Sequence, residues 1–88
     1  MYFKTVSIGT NQSRIVAKQP DRTSLVIFNN SAAATIYIGS KGQDLNGFPI
    51  KAGGSASFKI PEDDPSQEVW AISDGAGTDV RIYEGYGK

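Results

Sequence analysis

Histidine and cysteine are both absent from this sequence. Without cysteine there is no disulfide and no thiolate metal site, and without either residue the usual nucleophile–base pairs of covalent catalysis cannot be assembled. The longest strongly apolar run is Leu25-Val26-Ile27-Phe28, far short of the roughly 20 residues that a membrane-spanning helix needs. Basic charge is not in excess, since nine Lys and Arg balance nine Asp and Glu, which argues against a nucleic-acid surface. The opening stretch MYFKTVSIGTNQS has no apolar segment leading to a small-residue cleavage site. The expectation is therefore a product made in a cytoplasm and not exported by a signal peptide.

Helical periodicity is missing as well: no window of helical length places apolar residues three and four apart. In its place, β-rich runs alternate with turn residues. They are YFKTVSI (2–8), SRIVAK (13–18), TSLVIFN (23–29), TIYIG (35–39), SASFKI (55–60), EVWAIS (68–73) and DVRIYE (79–84). Spacing of this kind predicts an all-β protein. We expect a single small β-sandwich over residues 1–88, of jelly-roll or Greek-key type, with about seven short antiparallel strands. Residues 1–8 form an arm or an edge strand in this reading. A five-stranded closed barrel fits less well because it usually carries a helix. Leu25 to Phe28 place bulk on both faces, so the third run is expected to be the most buried, and Phe28, Phe58 and Trp70 are expected in the core. Ile36 and Ile38 should face one way and Tyr37 the other; Val80 and Ile82 should oppose Arg81 and Tyr83.

Charge is unevenly placed along the chain. Lys4, Arg14, Lys18, Arg22, Lys41, Lys51 and Lys59 precede residue 62, against Asp21 and Asp44. Glu62, Asp63, Asp64, Glu68, Asp74, Asp79 and Glu84 follow, against Arg81 and Lys88. If the halves occupied different surfaces, the acidic side of one copy would dock on the basic side of the next and close a ring. A chain this short buries only about 60% of its unfolded surface, so self-association is an expected source of stability.

The segment FNNSAAATIYIGSKGQDLNGFPIKAGG (28–54) holds a hairpin loop at Asn29–Ala33, then a polar excursion over 40–47, then a return to the sheet at GFPI, where Pro49 favours extended chain. KAGGS is a tight turn. The excursion is longer than hairpins need and is a candidate interaction surface. Catalysis has poor material: no serine lies in a G-x-S-x-G elbow, and the glycines match no phosphate-binding pattern. Asp74 and Asp79 in DGAGTD, and Glu62, Asp63 and Asp64, are read as turn and loop acids or, less simply, as calcium ligands. We expect no enzyme, no metal and no cofactor. Aromatics near the two ends (Tyr2, Phe3, Tyr83, Tyr86) and beside the arm (Phe48), together with Lys41 and Asp44, form the candidate interaction surface, as core rim, subunit contact or sugar platform.

LVIFNNSAAATIYIGSKGQDLNGFPIKAGGSASFKI, together with VWAISDGAGTDVRIYE, resembles small β-sandwich virion proteins of tailed and related bacteriophages, over about residues 23–84. These are head decoration or cement proteins and similar modules on fibres or vertices. The resemblance implies a structural role without catalytic residues, a virion location after synthesis in the host cytoplasm, a homo-oligomer with the trimer favoured, and a major capsid protein or other virion protein as partner. A carbohydrate-binding sandwich on a fibre or vertex is the alternative, and a nucleic-acid-binding barrel the third.

Overall fold

In the computed structural model, which describes residues 2–59 and 64–86, the chain is all-β apart from one 3₁₀ turn. Eight strands follow in order: β1 (Tyr2–Ile8), β2 (Ser13–Val16), β3 (Ser24–Asn29), β4 (Ile36–Gly39), β5 (Phe48–Ile50), β6 (Ser55–Lys59), β7 (Val69–Ser73) and β8 (Thr78–Gly85), with the 3₁₀ turn at Asp44–Asn46. Two four-stranded sheets have the orders β1-β8-β3-β6 and β2-β7-β4-β5. That is the jelly-roll arrangement. It is most simply seen as one long hairpin, rolled up. β1 pairs with β8, β2 with β7, β3 with β6 and β4 with β5, all antiparallel. Rolling adds the β3–β8 and β4–β7 ladders. The excursion after β4 is the tip of that hairpin. No helix among the described residues is long and apolar enough to cross a membrane.

The alternation read from the sequence decides which side chains meet. Ile36 and Ile38 point inward and Tyr37 outward, and Val80 and Ile82 oppose Arg81 and Tyr83. Ile8, Ile15, Val16, Leu25, Ile27, Ile50 and Ala71 complete the core. The aromatics do not. On β3 the buried positions are Leu25, Ile27 and Asn29, so Val26 and Phe28 lie on the outer face, half-buried, where no second layer of the described residues covers them. Trp70 likewise faces outward from β7, and Phe58 points inward from an edge strand and is only half-buried. β3 is therefore covered on one face only, and its four consecutive apolar residues do not make it buried on both. The eighth strand is β5, a three-residue piece in the segment read as returning chain. Ile60 lies outside the described residues.

Asn29 is fully buried and satisfied. Its Nδ2 donates to the carbonyls of Ala34 and Ile50, both at 2.8 Å, and its Oδ1 accepts from the Ser31 hydroxyl at 2.7 Å and the Ser31 N–H at 3.1 Å. One amide thus ties the β3–β4 loop to β5. The following turn needs Gly53, at φ +79°, to bring the Gly54 N–H to the Lys51 carbonyl at 2.8 Å.

The fold does not place the basic and acidic parts of the chain on separate surfaces. Because β1 and β3 pair with β8, and β2 and β4 with β7, the basic and acidic parts of the chain interleave, and the described ion pairs include Lys4–Glu84, Arg14–Glu68 and Arg22–Glu84 within one chain. The last is buried, with side chains 1% and 7% exposed and Nη1 to Oε1 at 2.8 Å. Arg22 also donates through Nε to the Pro65 carbonyl and through Nη2 to the Gln67 carbonyl. Removing one partner of a buried pair leaves an uncompensated charge. Arg22→Ala should lower the unfolding free energy by about 3–5 kcal/mol, read from the urea midpoint; a loss under about 1 kcal/mol would show that this pair does not hold the end of the sandwich.

Candidate interaction surface

The uncovered face of the β1-β8-β3-β6 sheet gathers the apolar side chains that the core leaves out. Register aligns Phe3, Tyr83, Val26 and Ser57 in one row and Thr5, Arg81, Phe28 and Ser55 in the next. Phe3 is 68% exposed, and its ring lies tilted against that of Tyr83 with centroids 5.1 Å apart. Between the rows runs a shallow groove of about 350 Å³, walled by Phe3, Val26, Phe28, Arg81 and Tyr83. Asp79 holds the Arg81 guanidinium at 3.1 Å and accepts from Asn30 Nδ2 at 2.9 Å. Those bonds, Arg81 first, lower the Asp79 pKa. A face of aromatic rings around one arginine has the composition of protein–protein contact centres.

The residues singled out in the sequence fall into three places. Phe3 and Tyr83 meet on this face. Tyr2, next along β1, projects to the opposite side of the sheet and is 55% exposed. Tyr86 belongs to the buried charge cluster: its hydroxyl donates to Glu84 at 3.0 Å, and burial, then Glu84, raises its pKa. Lys41, Asp44 and Phe48 lie at the hairpin tip, away from Phe3. Lys41 sits over the Trp70 ring, Nζ 5.4 Å from its centroid, because Gln12 clamps the tip by donating to the Ser40 carbonyl and accepting from the Gly42 N–H. Glu68 accepts from Trp70 Nε1 at 2.9 Å and pairs with Arg14 at 3.5 Å, and the Trp70 bond is the main reason its pKa is lowered. Asp44 opens the 3₁₀ turn at φ 48°.

Phe48, 63% exposed, stands at the mouth of a second cleft of about 600 Å³ between the β5 and β6 edges, with Ile38, Gln43, Asn46, Phe58 and Glu68. Val26 and Arg81 are not among the surface candidates read from the sequence, and Phe28 is assigned there to the core. The signal was present in DVRIYE, whose alternation, carried across to its neighbour β3, turns Val26 and Phe28 outward.

The acids read as turn residues or calcium ligands are engaged by the chain. Asp74 accepts from the Thr35 N–H at 2.9 Å. Asp64 accepts from Ser66 and Gln67, which lowers its pKa. Glu62 and Asp63 lie outside the described residues. Among the described residues no group of three or more His, Cys, Asp or Glu gathers as a metal site. No family model matches the chain, and no curated protein matches it.

Two outcomes are expected. A double-mutant cycle on Phe3→Ala and Tyr83→Ala should give a coupling of about 0.5–1.5 kcal/mol, measured by urea unfolding, with no coupling if the rings do not touch in solution. Asp64, Glu68 and Asp79 have folded pKa values below their ordinary 3.8, 4.5 and 3.8. Their stabilising bonds are in place above those values and are lost as pH falls through the lowered ones. Thermal melting should therefore fall from about pH 4 downward, less steeply in Asp64→Asn.

Proposed function

We propose that the chain is a non-enzymatic structural protein of a bacteriophage virion, decorating or cementing the capsid through contacts with copies of itself and with other virion proteins. The observation that carries the reading is the exposed Phe3–Tyr83 pair on a sheet face with Val26, Phe28 and Arg81. Such a face holds nothing that activates a nucleophile, and it offers what a protein surface binds: flat aromatic area, low side-chain entropy and one forked donor. The jelly roll supports the reading as a fold used for virion components, though lectin domains share it. Each contact is a modest patch, and a symmetric shell would multiply many such patches through effective concentration.

One observation favours the carbohydrate-binding alternative. The cleft beside Phe48 places an exposed ring next to two side-chain amides, Gln43 and Asn46, in a volume within the range of ligand sites.

Sedimentation with particles of the encoding phage that lack this protein separates the two. The native chain should pellet with the particles, and Phe3→Ser combined with Tyr83→Ser should reduce the bound fraction at least about tenfold, as loss of a contact centre does. Phe48→Ala should leave it unchanged. A native chain that stays in the supernatant and instead binds immobilised glycans in a Phe48-dependent way would overturn the virion reading.

A further inference from the structure

Two sheets of four strands leave four edges, and an edge presents unpaired backbone N–H and C=O groups on which another strand can form. Three of the edges are short or blunted. β2 has four residues and shifts register between Arg14 and Val16. β5 has three, with Pro49 in the middle. β6 has five and ends in Lys59. β1 differs from all of them. Its seven residues pair with β8 one for one, from Tyr2 opposite Glu84 to Ile8 opposite Thr78, with no register shift, proline or glycine. The side chains it turns to the outer face, Phe3, Thr5 and Ser7, carry no charge. Its one charge, Lys4, points to the inner face. An inward lysine usually guards an edge against pairing, but here it is drawn towards the Glu84 carboxylate of its own chain at 3.8 Å, which weakens that guard against an uncharged neighbour.

We propose that β1 pairs antiparallel with β1 of a second copy across a two-fold axis at Thr5, joining two four-stranded sheets into one of eight strands. Symmetry selects this register. A two-fold axis perpendicular to the sheet keeps outward side chains opposite outward ones, so the two residue numbers in each pair sum to an even value. Centring on Lys4 sets two ammonium groups face to face, which like charges resist. Centring on Val6 leaves Tyr2 and Phe3 without partners. Centring on Thr5 pairs the accessible stretch Phe3–Ser7 in full: Thr5 meets Thr5, Lys4 meets Val6 and Phe3 meets Ser7, while Ile8, buried in the core, ends the seam. Threonine pairs are favourable across strands. The inference rests on the strand geometry and stands whether or not the virion reading holds.

The absence of cysteine makes the test clean, because a single introduced thiol can form a disulfide only between molecules. Opposed residues of an antiparallel pair have Cα atoms about 4.5–5.5 Å apart, within disulfide reach. Thr5→Cys should convert to a covalent dimer under mild oxidation, while Ser57→Cys, exposed on β6, and Ser13→Cys, exposed on β2, stay largely monomeric. The native chain should show twice its 9.4 kDa mass by light scattering. Thr5→Lys, at an exposed position, should weaken the dimer at least about tenfold without changing the thermal melt of the monomer. A monomeric or trimeric native mass, or cross-linking of Thr5→Cys no faster than of Ser57→Cys, would overturn the proposal; a monomer would leave the edge to a strand of another protein.

Discussion

One guanidinium closes the end of the sandwich where β8 finishes. Arg22 comes from the connection before β3, and its partners come from elsewhere: the Glu84 carboxylate of β8 and the carbonyls of Pro65 and Gln67 ahead of β7. Glu84 in turn receives Tyr86 and faces Lys4. Arginine suits this position because its planar fork supplies several donors in fixed directions and keeps its charge at any ordinary pH. A lysine would reach one acceptor well and leave buried carbonyls unpaired. With no disulfide available, this cluster ties the end of the β1-β8-β3 ladders to the loop before β7.

The same arrangement explains a feature that is puzzling along the chain. Basic residues crowd the first two thirds and acidic residues the rest, yet the fold shows no corresponding dipolar split. A rolled hairpin lays the early strands against the late ones along their whole length, so separated charges become cross-strand neighbours. Part of what looks like a pattern for binding another molecule is taken up inside one, at Lys4, Arg14 and Arg22.

Much of the fold is legible in the residue order. Turn residues punctuate the strands, and period-two alternation in TIYIG and DVRIYE gives the correct inner faces. What fails is anything depending on which face has a neighbour. LVIF supplies bulk to both sides of β3, but only one side is covered, so Phe28 is surface and not core. β5 is too short and too proline-rich to announce itself, and becomes a strand only because β4 lies beside it. Arg22 carries no local signal at all, its carboxylate partner being 62 positions away. Of the candidate surface, Phe3 and Tyr83 were readable from their exposed positions in alternating runs. Tyr86 was not, because its burial depends on the distant charge cluster.

The pairing of β1 with β8 also sets an order of events during synthesis. β1 is made before the other strands and its ladder partner β8 after them, so this seven-residue edge strand waits for every intervening strand before it can be zipped in. Until then both of its edges are open, and neighbouring nascent chains on one message hold identical strands, uncharged on one face, close together. Long-range ladders of this kind form slowly and stay exposed to misassembly while they wait. The inward Lys4 takes on a second meaning in that interval: before Glu84 is made its charge has no counter-ion, and it protects a strand that only the finished chain renders safe to pair.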